Sequence, residues 1–173
     1  SSQGLNLVEE SEMRDRLTMS YSILKGLKLM PEIMFIRHDI NEVGNWKKDQ
    51  YRFEIDYEWP RNFQHQPYYE LATGKFNNTI ESREMNLKKI GMQWEYYFES
   101  SGLANIEISQ INLNNDNLPF SLTEGYKKGL SYEGQINGHV KLTDNFFCDL
   151  NYLVIQDRSD LYQRMSLQTR AVF

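Results

Sequence analysis

The chain has 173 residues and a net charge of −5, with 24 acidic against 19 basic side chains. That length holds a single domain, 1–173, with a sizeable core or one small closed barrel, and the charge argues against nucleic acid as a partner. The single Cys148 excludes an internal disulfide framework, and no run approaches the ~18 consecutive apolar residues of a membrane helix, a test that a transmembrane β-barrel passes unseen.

From Ser1 to Glu12 the chain is polar and carries no clear strand. This segment reads as a periplasmic lead or as the point where a larger polypeptide was cut, and 8–16 reads weakly as a helical turn. Leu17, Met19, Tyr21 and Ile23 then alternate with polar residues, as do Leu27, Leu29, Ile33 and Phe35 around Pro31, with a turn at Lys25-Gly26. After a link over 40–48, Tyr51, Phe53, Ile55, Tyr57 and Trp59 alternate with Arg52, Glu54, Asp56 and Glu58. The stretch 60–82 reads as a long link in which 63–76 is either strand or loop.

Strand 83–98 places Ile90, Met92, Trp94, Tyr96 and Phe98 on one face, with Lys89, Gln93 and Glu95 on the other. A tight turn at Glu99-Ser100-Ser101-Gly102 leads into strand 103–114, and a second long link covers 114–127. Strand 128–142 alternates Leu130, Tyr132, Ile136, Val140 and Leu142 with Glu133, His139 and Lys141. Thr143-Asp144-Asn145 turns the chain into strand 146–157, which carries Phe146, Cys148, Leu150, Tyr152 and Val154. The last strand, 161–173, sets Met165, Leu167, Ala171 and Phe173 against Arg164, Ser166, Gln168 and Arg170. Successive strand side chains point to opposite faces, so period two throughout predicts eight or nine two-faced antiparallel strands.

Pro67 to Lys75 and Pro119 to Lys127 share the order Pro, aromatic, Leu, Gly, Lys. This is either a weak loop-plus-strand repeat or two loops that reuse common residues.

A strand that ends the chain on Phe173 after alternating apolar positions resembles the C-terminal strand of outer-membrane β-barrel proteins. In that family the terminal Phe and the alternation before it are the signal read by the barrel-assembly machinery. The resemblance therefore implies that Leu167, Ala171 and Phe173 form this signal. It covers about ten residues, and the strand lacks the glycine that many members carry there. It implies an all-β, antiparallel, up-and-down transmembrane barrel of about eight strands, or the closing section of a larger barrel. The location implied is the outer membrane of a Gram-negative bacterium, with lipid and the assembly machinery as partners.

Three features of the residues agree with it. Several strands run ~12–15 residues, where soluble proteins average 5–6. Tyr96, Phe98 and Phe146 collect at one rim, as an aromatic girdle at the membrane interface requires. The polar face carries both signs: Arg52, Lys89, Lys141, Arg164 and Arg170 with Glu54, Asp56, Glu58, Glu95, Glu107, Glu133 and Asp149. These are the candidate lumen residues. In an eight-stranded barrel, whose interior side chains just fill, they pair and plug it; in a wider barrel they line a channel.

The function this predicts is a membrane scaffold, a pore or a surface-binding protein acting through loops 60–82 and 114–127. No cofactor, metal site or catalytic role is expected. His38, His65 and His139 are far apart, and one cysteine builds no thiolate site. His65, with Glu70, Tyr68 and Tyr69 nearby, is the one group suggestive of loop catalysis, and no nucleophile is assigned to it. The ladder Glu54, Asp56, Glu58 reads as a lumen or solvent face, or else as a cation site. Two other classes share the pattern. A soluble lipocalin-like barrel would bind an apolar ligand and line its pocket with Ile55, Trp94 and Ile136. A non-catalytic subunit of a larger cell-surface or secretion complex would bring further subunits as partners.

Overall fold

The computed structural model describes residues 10–40, 44–59, 62–78, 81–98, 101–115, 117–158 and 160–171. Its strands are β1 (Glu10–Thr18), β2 (Tyr21–Leu24), β3 (Leu27–Ile40), β4 (Gly44–Trp59), β5 (Phe63–Asn77), β6 (Ser82–Phe98), β7 (Gly102–Leu113), β8 (Gly129–Thr143), β9 (Phe146–Asp157) and β10 (Asp160–Ala171). One short helix, α1 (Phe120–Thr123), lies between β7 and β8. The strands form one antiparallel sheet in the order β1-β3-β4-β5-β6-β7-β8-β9-β10, with β2 paired to the start of β3. This is an up-and-down meander of the kind the alternation predicts, and the described strands leave the sheet unclosed, with β1 and β10 at its edges.

The C-terminal half follows the sequence reading to within a residue or two at nearly every boundary. Four expectations are corrected upstream and in the links. Residues 10–16, part of the supposed helical turn and polar lead, belong to β1, which pairs with β3 from Glu10↔Ile40 to Thr18↔Glu32. The alternating run through Leu17 and Ile23 divides at Met19-Ser20, opposite Pro31, which has no N–H to give the ladder; Met19 N–H donates to the Pro31 carbonyl at 3.0 Å. The link 40–48 shrinks to 41–43, because β4 already starts at Gly44. The link 60–82 is mostly β5, so only 114–128 remains a long connection. The two repeat-like segments differ in structure: 67–75 lies inside β5, whereas 119–127 is α1 and its flanking turns.

The connections define two rims. At the turn rim lie the strand ends Trp59, Phe63, Phe98, Gly102, Thr143, Phe146 and Ala171; at the loop rim lie Ile40, Gly44, Asn77, Ser82, Leu113, Gly129, Asp157 and Asp160. We call the face on which α1 sits the inner face.

Apolar side chains change face along the strands. Near the turn rim they point outward: Tyr51, Phe53 and Trp59 on β4, Tyr69 on β5, Ile90, Tyr96 and Phe98 on β6, and Ile106 and Ile108 on β7, all exposed. Near the loop rim they point inward. Ile36, Trp46, Ala72, Met85, Leu87, Ile111 and Leu113 form a buried cluster with Leu122 and Tyr126. There the outer face is polar, with Lys47, Thr73, Glu84, Asn86, Lys88 and Asn112. From Ile90 to Phe98 the outward apolar band spans ~27 Å along the strand at ~3.4 Å per residue. Tilted by ~40°, as barrel strands are, it rises ~21 Å, a few ångström short of the roughly 25 Å of a lipid-facing band. Among the described residues no helix is long and apolar enough to cross a membrane.

Candidate functional site: the charged inner face and its cap

Below the apolar cluster the inner face is charged, and register sets its rows. Arg52, Glu70 and Lys89 are side by side on β4, β5 and β6, and Gly91, Ser109 and Glu133 are side by side on β6, β7 and β8. Every candidate lumen residue named from the sequence lies on this face: Arg52, Glu54, Asp56, Glu58, Lys89, Glu95, Glu107, Glu133, Lys141, Asp149, Arg164 and Arg170. Glu58, Arg164 and Arg170 are exposed, while Asp56 and Glu133 are buried.

The middle of the face is one connected network. Lys89 reaches Glu133 at 3.0 Å and Glu107 at 3.4 Å. Arg52 pairs with Glu54 at 2.8 Å and Glu70 at 3.9 Å, and its guanidinium lies 4.0 Å from the centre of the Tyr68 ring. The Tyr68 hydroxyl donates to Glu107 across β6. This crossing needs Gly91, because a Cβ there would fall 2.5 Å from the Tyr68 ring. Charges taken from water are tolerated when paired and hydrogen-bonded, and these are.

Toward the turn rim, Asp56 meets Lys28 at 3.8 Å and accepts from Gln66 at 3.5 Å. Glu95 accepts from Gln93, Tyr97 and Asn105 at 2.7–3.1 Å. His139 pairs with Asp149, and Arg170 lies over Phe147.

The link 114–128 folds onto this face. Asn114 Oδ1 accepts from the Asn86 N–H at 2.6 Å, Asn115 donates to the Glu84 carbonyl at 3.3 Å, and Arg83 donates to the Asn117 carbonyl. Pro119 leads into α1, and Glu124 and Gly125, both at positive φ, turn the chain out of it. Leu122 is completely buried, and its socket exists because Gly74 has no side chain: a Cβ there would lie 2.8 Å from Leu122 Cδ1. Glu124 pairs with Lys48, which is buried. Tyr126 donates to Glu133 and so ties the link to the Lys89 network. Burial pushes the Tyr126 phenol well above its ordinary range, so it stays a neutral donor.

Other sequence candidates separate. His65 and Glu70 differ by an odd number of positions in β5 and so face opposite sides. His65 accepts from Trp59 Nε1 at 2.6 Å on the outer face, while Tyr68 and Glu70 face inward. The group suggestive of catalysis is therefore not assembled. In the acidic ladder, Glu54 and Asp56 are engaged by Arg52 and Lys28, and no cluster of three metal-ligating side chains occurs among the described residues. Ile55, Trp94 and Ile136 lie on the outer face, away from the buried core, so they do not line the pocket a lipocalin-like barrel needs.

Tyr96, Phe98 and Phe146 lie on the outer face at the turn rim, joined by Tyr57, Trp59 and Phe63, and Tyr96 and Phe98 meet edge to face at 5.0 Å. Leu167 and Ala171 are exposed on the outer side of β10; Phe173 lies outside the described residues. Sequence reading missed Lys48, Leu122, Glu124 and Tyr126, whose roles depend on a link folding back over the sheet. The signal it passed over was Leu118, Leu122 and Tyr126, apolar residues spaced along a link read as a surface loop.

No family model matches the chain, and no curated protein matches it. Among solved structures it is similar to the siderophore receptor PirA from Acinetobacter baumannii, at 11% identity and a TM-score of 0.52, over 95% of this chain and 31% of that one. It is also similar to the NanC porin, at 8% identity and 0.49, over 96% and 98% of the two chains. The translocator domain of the autotransporter NalP from Neisseria meningitidis is similar at 7% and 0.38, over 98% and 83%. The receptor's likeness shows a fold: the chain has the antiparallel up-and-down architecture of the outer-membrane β-barrels.

Proposed function

We propose that this chain forms the wall of a porin-like barrel in the outer membrane of a Gram-negative bacterium. The charged network is its lumen lining, and the link 114–128 is an inward-folded segment that narrows the lumen at the loop rim. The observation that carries this is the change of face. Over the turn-rim part of β4–β7 apolar side chains point outward and charges inward, whereas beyond it the apolar side chains point inward around Leu122. A soluble sheet has no reason to expose Phe53, Ile90, Ile108 and Met165 in one belt, whereas a lipid-facing wall requires it.

In this reading the turn rim is periplasmic, and Tyr96, Phe98 and Phe146 sit in the interface. Leu167, Ala171 and Phe173 are read by the assembly machinery, and further subunits are potential partners. The role is non-catalytic, and exposure of ligands to the cell exterior runs through 114–128 rather than through 60–82. The test is fractionation of the protein expressed in a Gram-negative host, with gel mobility compared before and after boiling. Recovery in the outer membrane with heat-modifiable mobility supports the reading; a soluble, monodisperse protein refutes it.

A further inference from the structure

Between the link 114–128 and the inner side of β8 to β10 lies an open cleft of about 550 Å³, within the size range of small-molecule sites. It meets the Lys89 network at Tyr126. Two of its features have no use in a barrel wall. The first is apolar surface turned away from lipid. Phe120 on α1 is 78% exposed, more than any other large apolar side chain described, yet it lies on the inner face. Its ring rests against Gly125, where a Cβ would fall 2.5 Å from it. Tyr162, on the inner side of β10, is also exposed, and Ile155 lies beside it.

The second feature is a pair of opposite charges without ionic partners among the described residues. Asp157 is buried, and its carboxylate accepts only from the Ser131 hydroxyl, at 3.3 Å. Arg164, on β10, makes neither an ion pair nor a hydrogen bond there. The other charges around the cleft are engaged, Glu124 by Lys48 and Lys127 by Asp160, and Arg158 turns over Gly129. A carboxylate held away from water without a cation is costly, so Asp157 is a place for a cationic donor.

Register sets the distance between the two charges. Asp157 pairs with Asp160, and Arg164 pairs with Leu153, four positions further along the ladder. Their Cα atoms are therefore ~14 Å apart at ~3.4 Å per residue, with the Ile155–Tyr162 pair between them. A charge-assisted hydrogen bond of ~2.8 Å at each end leaves ~8 Å between the charges of a ligand that bridges them. An extended peptide of two or three residues spans that gap, at ~3.3–3.6 Å per residue. A free anion would use Arg164 and leave Asp157 and Phe120 idle, and an apolar ligand would use neither charge.

We propose that this cleft binds short zwitterionic peptides of two or three residues. The ammonium end meets Asp157, the carboxylate end meets the fork of Arg164, and an apolar side chain between them covers Phe120 and Tyr162. The inference rests on the membrane reading only for the cleft's place in the lumen. Binding needs only the folded sheet, so fractionation and binding fail separately.

The test is calorimetric titration of the full chain, folded in detergent micelles, with Ala-Phe-Ala, its N-acetylated form and its C-terminal amide. The free peptide should bind, and either block should weaken it ~10-fold or more, the loss of one charged hydrogen bond. Arg164→Gln should abolish the penalty for amidation and keep that for acetylation, and Asp157→Asn should do the reverse. Phe120→Ala should weaken Ala-Phe-Ala more than Ala-Ala-Ala. Circular dichroism reports folding of each variant, and the comparison of free with blocked peptides on the parent chain needs no variant. No binding by the folded parent at millimolar peptide overturns the inference. So does equal affinity for free and blocked forms, which would mean an apolar groove alone, and so does binding that Arg164→Gln and Phe120→Ala leave unchanged. A soluble chain that still prefers the free peptide would refute the membrane reading and support this one.

Discussion

Replacing Leu122 by Ala should release the 114–128 segment from the inner face while leaving the barrel wall intact. Leu122 is completely buried, seated over Gly74 and beside Met85. Truncating a buried Leu to Ala costs ~2–5 kcal/mol, the loss of apolar contact plus the residual cavity. The link's other anchors are Leu118 against the same cluster, Tyr126, buried there and bonded to Glu133, and the ion pair of Glu124 with Lys48. Leu122 is the most deeply buried of these, so most of the cost falls on docking of the link. Taking ~3 kcal/mol, the ratio of docked to released segment falls roughly 100-fold. Single-channel recording in planar bilayers should then show a larger conductance or a higher open fraction for L122A, and protease should cleave within 114–128 sooner. Leu122→Met, which conserves volume, should cost less than ~1.5 kcal/mol and behave like the parent. If L122A lowers the unfolding midpoint while conductance and cleavage stay unchanged, the segment is structural padding, and the proposed constriction is wrong.

Four further outcomes follow from the same contacts. Gly91→Ala should drive the Tyr68 ring off β6 and lower stability by about 1–3 kcal/mol, a loss that Tyr68→Ala in the same chain should largely suppress; urea unfolding in vesicles measures both. Lys89→Ala leaves Glu107 and Glu133 without their cation and should cost about 3–5 kcal/mol, while the triple change Lys89→Met, Glu107→Gln, Glu133→Gln should recover most of it. Arginine at Met92 should destabilise the protein in lipid by about 2–4 kcal/mol and at Asn86 by about 0–1, because the outer face has left the apolar band by Asn86; equal costs at the two sites would move the membrane boundary. Deleting Phe173 should reduce the outer-membrane yield of folded, heat-modifiable protein, and normal assembly of the truncated chain would remove Phe173 from the assembly signal.

Much of the sheet was legible because side-chain alternation is a local property. In β8 and β10 the apolar residues keep to one face for most of the strand, and in β6 they do so from Ile90 to Phe98, so strand limits and turns can be read from Glu99–Gly102 and Thr143–Asn145. β5 was harder, since its apolar residues change face between Leu71 and Ala72, and a period-two pattern that slips by one residue looks like a loop. The candidate lumen residues were legible as a face but not as pairs. That Lys89 belongs with Glu107 and Glu133, and Arg52 with Glu70, depends on register across four strands.

The sequence by itself determined that this is a two-faced antiparallel β-structure with aromatic residues gathered at one end, because backbone geometry imposes period two wherever strands form. Only the tertiary structure decided which face is inner at each height, and hence where the outward apolar band ends, since that depends on the link 114–128 turning back to bury Leu122.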